Sequence, residues 1–373
     1  MRLTGIRLGD YIERATENNK ELKYGSEYIV GVNSQGVFAE PKGNTDDIDL
    51  APYKIVNNGA FVYTPTRINL GSIAYRTQGL CLVSHLYIVF YLSDEGKKII
   101  DPIWLYIYLR RREFGREVDF RLFGSARPEF SFSDISEIVI PLPDIEIQRK
   151  YVSIYKAMLA NQMCYERGLE DLKVAIDALI DKYKHSSPRK TVGTLLEEID
   201  NRNDNGITEV KGINISKQFM PSVADTLNVN LKKYKLVQKG QFAFSGMQTG
   251  RDECIRIAML DKDENIIISP AYSVFQMKDK TVLPEYVMMW FSRKEVDRLG
   301  WFMSDASIRT NLDLDRFNEI EIPIPEEHVQ EAIVELYEVY KSRRAISEKL
   351  KYLIKNVGPV LIKGSIEEAQ KEA

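Results

Sequence analysis

Hydrophobic and polar positions follow two different periods along this chain of 373 residues, and each period occurs twice. Behind Gly59, Phe61 and Tyr63 alternate with Ala60, Val62 and Thr64 in the period of two that marks a strand. Gly240, Phe242 and Phe244 repeat the device. Apolar stretches over 80–92 and 265–277 predict further strands, and helices are expected over 102–114 and 284–298. Pro102 and Pro284 stand where proline suits a first helical turn. The pattern then changes to steps of four and three. Tyr151, Tyr155, Met158, Gln162, Tyr165, Leu169, Leu172, Ile176, Leu179 and Tyr183 form one heptad stripe. Val329, Ala332, Leu336, Val339, Arg343, Ile346, Leu350, Leu353 and Val357 form another. Pro141 and Pro143 precede the first stripe and Pro323 and Pro325 the second; proline removes a ladder donor and so ends a strand. Ser186, Ser187 and Pro188 are expected to end the first helix and Pro359 the second.

Both periods belong to one long internal repeat. Gly31-Val32-Asn33 matches Gly212-Ile213-Asn214, and Tyr53-Lys54-Ile55-Val56 matches Tyr234-Lys235-Leu236-Val237, each at an offset of 181. Ser84, Tyr87, Val89 and Phe90 match Ser269, Tyr272, Val274 and Phe275 at 185. Glu137-Ile138-x-Ile140-Pro141-x-Pro143 matches Glu319-Ile320-x-Ile322-Pro323-x-Pro325 at 182, and Gln148 matches Gln330. A period this long is two copies of a domain with its connector, far beyond a solenoid unit. The expected fold class is α+β: two mixed, β-rich domains in a pseudo-twofold arrangement, separated by two long antiparallel coiled-coil helices. Residues 144–184 would span about 60 Å at the helical rise.

Composition bounds the function. Hydrophobic residues make up 44% and charged residues 28%, as in ordinary globular domains. The formal charge of −3 does not by itself favour a nucleic-acid partner and implies that a DNA reader would lean on basic partners. Cys81, Cys164 and Cys254 are few, odd in number and far apart, which points to a reducing compartment with buried thiols. Neither a signal-peptide stretch nor a membrane-length apolar run is seen, so the expected location is the cytoplasm of a bacterium or archaeon, with no membrane partner.

The segments Ile138-Val139-Ile140-Pro141-Leu142-Pro143-x4-Gln148 and Ile320-Glu321-Ile322-Pro323-Ile324-Pro325-x4-Gln330 each follow a β-rich domain and lead into a heptad helix. With Gly124-Ser125-Ala126-Arg127-Pro128 before the first, this organisation resembles the specificity subunits of type I restriction-modification systems, over roughly residues 5 to 360. Asp305-Ala306-Ser307-Ile308-Arg309-Thr310 keeps the arginine in the second copy and loses the glycine and proline. The resemblance implies target-recognition domains over 1–143 and 188–325, spacer helices over 144–187 and 326–360, and a C-terminal tail over 361–373. It implies double-stranded DNA as ligand, each domain reading half of a split target across a gap that the helices set. It also implies two docked methyltransferase (modification) subunits and, in some assemblies, restriction/translocase subunits. S-adenosylmethionine would sit on the former, ATP and Mg on the latter, and no cofactor on this chain.

The residues were weighed for chemistry of their own. No Asn/Asp-Pro-Pro-Tyr/Phe segment and no Walker motif occurs. His85 lies four residues after Cys81 without a second pair, so a packed strand histidine outweighs a zinc ligand. His185 and His328 are expected on solvated helix ends, and Asp46-Asp47-Ile48-Asp49 as a loop or cap. For DNA, two polar loops at matching places differ in sequence as readers of different bases would. Thr64, Thr66, Arg67 and Asn69 are candidates in the first, and Ser245, Gln248, Thr249 and Arg251 in the second. Arg127 and Arg309 recur before the prolines, and Arg110-Arg111-Arg112 opens the densest basic stretch. Ordinary hairpin loops, a structural arginine and a solvated helix face are the competing readings. Four alternatives stand beside the resemblance: the same subunit in a methylation-only or type IIB-like assembly, a stand-alone bivalent DNA-binding protein, an enzyme with an unrecognised site, and a coiled-coil scaffold. A repressor-like reader would be expected to show a helix-turn-helix signature, and none is seen.

Overall fold

The computed structural model describes residues 4–41, 43, 45, 48–124, 128–222, 229–247, 249–305 and 310–371. Among them no helix is long and apolar enough to cross a membrane. The chain forms two compact units, Met1–Tyr165 with Ile346–Ala373, and Glu166–Ala345.

In the first unit the period-two segments pair into an antiparallel sheet in the order Ile12–Ala15, Ile88–Leu92, Phe61–Tyr63, Ile73–Tyr75. The second unit repeats it as Leu196–Ile199, Ser273–Met277, Phe242–Ser245, Arg256–Met259. Gly59 and Gly240 hold φ of +87° and +80° at the turn into the inner strand, a backbone state that disfavours side chains. Phe61 and Phe90 stack at 4.9 Å across adjacent strands of the first sheet. Each of the apolar stretches over 80–92 and 265–277 forms two strands with a turn: Cys81–Val83 with Ile88–Leu92, and Ile266–Ile268 with Ser273–Met277. His85 is exposed in the first of these turns, which corrects its expected place in a packed strand.

The expected helices over 102–114 and 284–298 are each broken in two. The first pair is α1 (Pro102–Leu109) and α2 (Arg112–Arg121). The Asp101 carboxylate accepts from Ile103 N and Trp104 N to cap α1. At its end, Arg110 N and Arg111 N donate three residues back, to Ile107 O and Tyr108 O, and the chain turns. The turn lets Phe114 and Val118 of α2 enter the same core as Trp104 and Leu105 of α1.

The Pro-x-Pro segments close the domains. Val139–Leu142 pairs antiparallel with Thr4–Arg7, setting Pro141 opposite Gly5, and Glu321–Pro323 pairs with Arg189–Thr191. Both are two-stranded ribbons, where proline costs no inner ladder bond. A long helix follows each ribbon, α3 (Ile145–Tyr183) in the first copy. Three residues into α3, the buried Gln148 explains its motif. Its Nε2 donates to Ile99 O and Pro143 O at 2.8 and 2.7 Å, and its Oε1 accepts from Asp101 N at 2.8 Å. The amide thereby bolts the long helix to the start of α1.

The second copy carries α4 (Pro284–Phe291), α5 (Lys294–Met303) and the long helix α6 (Glu327–Lys371). Gln330 repeats the bolt with Leu283 N at 3.0 Å and Pro325 O at 2.9 Å. In the first unit, the start of α3 runs against the end of α6. Lys150 and Tyr151 reach Glu368 at 2.7 and 3.0 Å, while Tyr155 and Leu159 share a cleft with Gly358 and Ile354. In the second unit, Ile176 and Ile180 of α3 share a core with Ile333 and Val329 of α6. Residue numbers rise along one helix as they fall along the other, so both pairings are antiparallel.

Two expectations for α6 need correction. The helix passes through Pro359 and continues to Lys371, so residues 361–371 are helix rather than tail. The packing explains this. Leu361, Ile362 and Ser365 are buried in the first unit, and Ser365 Oγ accepts from the Trp104 indole at 3.0 Å. That burial outweighs the roughly 3 kcal/mol that a proline costs inside a helix. The predicted stripe is also rotated: Val339, Ile346 and Leu353 remain 44%, 43% and 42% exposed. Ile333, Tyr337 and Tyr340 face inward in the second unit, and Ser347, Ile354 and Ile362 in the first. The helix packs on a domain as well as on α3, so its covered face is wider than a seam and includes polar residues.

Candidate nucleic-acid interface

The polar loop of the first unit spans Phe61–Tyr63 and Ile73–Tyr75. It is a built structure. Ile68 is anchored in the core and Gly71 holds φ of +85°. Thr64 N donates to Ser72 O, and Arg67 N to Thr64 O. Thr64 Oγ1 lies 3.3 Å from Ser72 Oγ, which in turn donates to Val32 O. Thr66 and Arg67 are left exposed and Thr64 half-buried. Half-buried Asn69 donates to Asp119 Oδ1 of α2 at 2.7 Å, and its carbonyl sits so close to Gly115 that a Cβ there would lie 2.5 Å away. The loop is therefore seated on α2.

In the second unit the matching loop is seated on α5, where Gly300 meets Ile255 and Thr249. Gly246 has no room for a side chain, since a Cβ would meet Leu312 O at 1.7 Å. Here the structure corrects two candidates. Thr249 is fully buried and donates to Gly246 O at 3.0 Å, and Ser245 is buried and turns to Met247 N. Both hydroxyls hold the loop's shape from buried positions. Arg251 is exposed, and Gln248 lies outside the described residues, as do Arg127 and Arg309.

The basic stretch divides at the break between α1 and α2. Arg110 donates to the Tyr106 hydroxyl at 2.9 Å, and Arg111 stacks 3.8 Å over the Tyr108 ring while bonding Tyr108 O. Both line a cleft against α3 and α6. Arg112 and Arg116 point outward on α2, beside the seated loop.

One exposed feature was missed by reading for polar residues. At the repeat offset of 182, Arg112, Arg116 and Phe120 of α2 correspond to Lys294, Arg298 and Phe302 of α5. All six are exposed, and the two phenylalanines are 82% and 83% exposed. Residues four apart share a helix face, so each unit carries a stripe of two cations and an aromatic ring. The repeat was the signal that could have found them.

Among the described residues, no three His, Cys, Asp or Glu side chains come together as metal ligands. Burial raises the Cys81 and Cys254 thiols above the ordinary range, which disfavours a thiolate nucleophile. Cys164 is exposed on α3, against the expectation of three buried thiols.

Two units of one fold, each closed by a proline ribbon and bolted by a glutamine to a long helix, define a duplicated recognition protein. Residues 7–170 match the family described as "Type I restriction modification DNA specificity domain". The internal repeat relates the second half of the chain to this matched part. By that description the matched part is a DNA specificity domain. The fold is similar to that of a type I restriction-modification system S subunit from M. genitalium. Their TM-score is 0.59 at 12% identity, over 97% of this chain and 95% of that one. A second similar chain comes from work on complex assembly and conformational transition of the type I R-M system, with a TM-score of 0.50 at 15% identity over 97% of both. No curated protein matches.

Proposed function

We propose that each unit reads one half of a split DNA target and that α3 and α6 set the gap between the halves. The observation that carries this is the repetition of one domain with its ribbon, bolt and long helix, at an offset of 182. Thr64, Thr66, Arg67 and Asn69 with α2 face DNA in the first half. Arg251 and Gln248 with α5 do so in the second. The exposed cations Arg112, Arg116, Lys294 and Arg298 meet phosphates. Phe120 and Phe302 lie against the sugar edge or a thymine methyl. Two modification subunits carry S-adenosylmethionine, and restriction subunits, where present, use ATP and Mg. The net charge of −3 supports a division of labour in which these partners supply part of the phosphate neutralisation.

The test is the methylome of cells carrying the system, with the whole chain and with seven residues removed from the middle of each long helix. Seven residues shorten a helix by about 10 Å, or roughly three base pairs. The gap should change by about that amount with both half-sites intact. A change in the half-site bases themselves would rule out the ruler. Replacing Arg116 or Arg298 should weaken binding equally on all sequences and reduce the salt slope by about one.

A further inference from the structure

Each unit has a cleft where its first helix pair meets the two long helices, and the two clefts share equivalent positions on each of these elements. In the second unit, a cleft of about 510 Å³ holds Arg293, whose side chain is 6% exposed. Three carboxylates surround it. Arg293 Nε donates to Asp177 at 3.1 Å, and Nη2 to Glu295 at 2.8 Å and Asp181 at 3.4 Å. Its guanidinium also lies 5.0 Å from the Trp290 ring. Asp177 and Asp181 stand one turn apart on α3.

The first unit keeps the cation and ring of this arrangement, while Glu113, the counterpart of Glu295, pairs with Arg116 at 3.5 Å instead. Arg111 corresponds to Arg293 and Tyr108 to Trp290, with the cation stacked on the ring in both. At the positions of Asp177 and Asp181, however, α6 carries Pro359 and Lys363. The resulting cleft of about 550 Å³ is lined by Arg110, Arg111, Lys351 and Lys355, and among its described residues there is no Asp or Glu. Lys351 reaches Glu348 at 3.3 Å, outside the lining. Among the described residues, no carboxylate comes within ion-pairing distance of Arg110, Arg111 or Lys355, and Arg110 Nε is buried with no hydrogen-bond partner. Arg110, Arg111 and Lys355 are like charges in one cleft and repel, and an unpaired buried donor is costly, so both effects favour an anion in this place.

We propose that the first-unit cleft is a receptor for an acidic protein segment that presents two carboxylates one helical turn apart. The twin cleft identifies the ligand class. There the same scaffold is filled by two carboxylates four residues apart on a helix, supplied in cis by α3. The first unit receives in trans what the second carries within itself. The consequence is functional asymmetry: a partner with such a segment engages one copy of the repeat and not the other. The inference does not depend on which residues read DNA.

The test uses the whole chain and a fluorescent, alanine-based helical peptide carrying two glutamates four residues apart, with its glutamine counterpart as control. The glutamate peptide should bind with one-to-one stoichiometry and weaken as salt rises, and the glutamine peptide should bind at least tenfold more weakly. Pro359→Asp with Lys363→Asp copies the second unit into the first and should lower affinity at least tenfold. This variant removes a helical proline, so its melting temperature should hold or rise. The reciprocal variant, Asp177→Asn with Asp181→Lys and Glu295→Gln, should raise the stoichiometry from one towards two. Equal binding of the two peptides would overturn the proposal, as would indifference to Pro359→Asp with Lys363→Asp. So would Arg110→Gln with Arg111→Gln weakening the binding of random-sequence duplex DNA while leaving peptide binding intact. Loss of target-site recognition with peptide binding unchanged would instead concern the DNA-reading function alone.

Discussion

The two units share sheet order, closing ribbon and glutamine bolt, yet they treat the charge at equivalent places differently. In the second, Arg293 is paired with the unit's own Asp177, Asp181 and Glu295, although its Nη1 is buried without a partner. In the first, Arg111 keeps its aromatic stack and, among the described residues, meets no carboxylate. Residues that recur between the copies are mostly structural: the turn glycines, the packed aromatics, the prolines and Gln148 with Gln330. Residues that differ include the loop positions that face outward. Duplication therefore separates scaffold from function here, because both copies must satisfy the same backbone and core while each meets its own ligand.

The largest expected effect concerns the end of α6, which serves the first unit alone. A chain ending at residue 360 loses the buried side chains Leu361 and Ile362 and the acceptor of the Trp104 indole. At about 1.5–3 kcal/mol per buried aliphatic side chain, plus the orphaned donor, the loss is about 6 kcal/mol. Hydrogen exchange should show lost protection in the first unit and unchanged protection in the second. Unchanged protection in the first would mean that these residues behave as a tail.

The glutamine bolts come next. Gln148→Ala leaves two carbonyls and one amide without partners, and Gln330→Ala leaves one of each. Urea unfolding should show losses of about 4 and about 3 kcal/mol respectively. A reversed order would show that the second bolt carries more than its hydrogen bonds.

The smallest effect is in acid. The Lys190 ammonium, helped by Thr281, holds the Asp279 carboxyl down to about 2. A lowered carboxylate value stabilises the fold above the ordinary range near 4, and that contribution is lost as pH falls through about 2. Asp279→Asn should therefore unfold more readily than the unaltered chain at neutral pH, with the difference closing between about pH 4 and 2. A difference that persisted below this window would show that the contact is not ionic.

Much of the fold was legible in advance. The strands around Gly59 and Gly240, the proline stops and the long helices all follow local rules of period and proline placement. The loops were legible as places but not as residues. Thr249 and Ser245 looked like ligands because their types suit hydrogen bonding, and folding spent both hydroxyls on the loop itself. Phe120 and Phe302 were passed over because an aromatic residue in a sequence is more often core.

By itself, the sequence determined that there are two copies of one domain, where each closes, and where each long helix begins. Those features are written in period, offset and proline, which act locally. Only the tertiary structure decided that α6 continues through Pro359, that its inner face includes tyrosines and Ser347, and that Arg110 and Arg111 turn away from Arg112. Those outcomes depend on burial and charge pairing between residues up to some 260 positions apart, such as Trp104 and Ser365. No local pattern records the energy of such contacts.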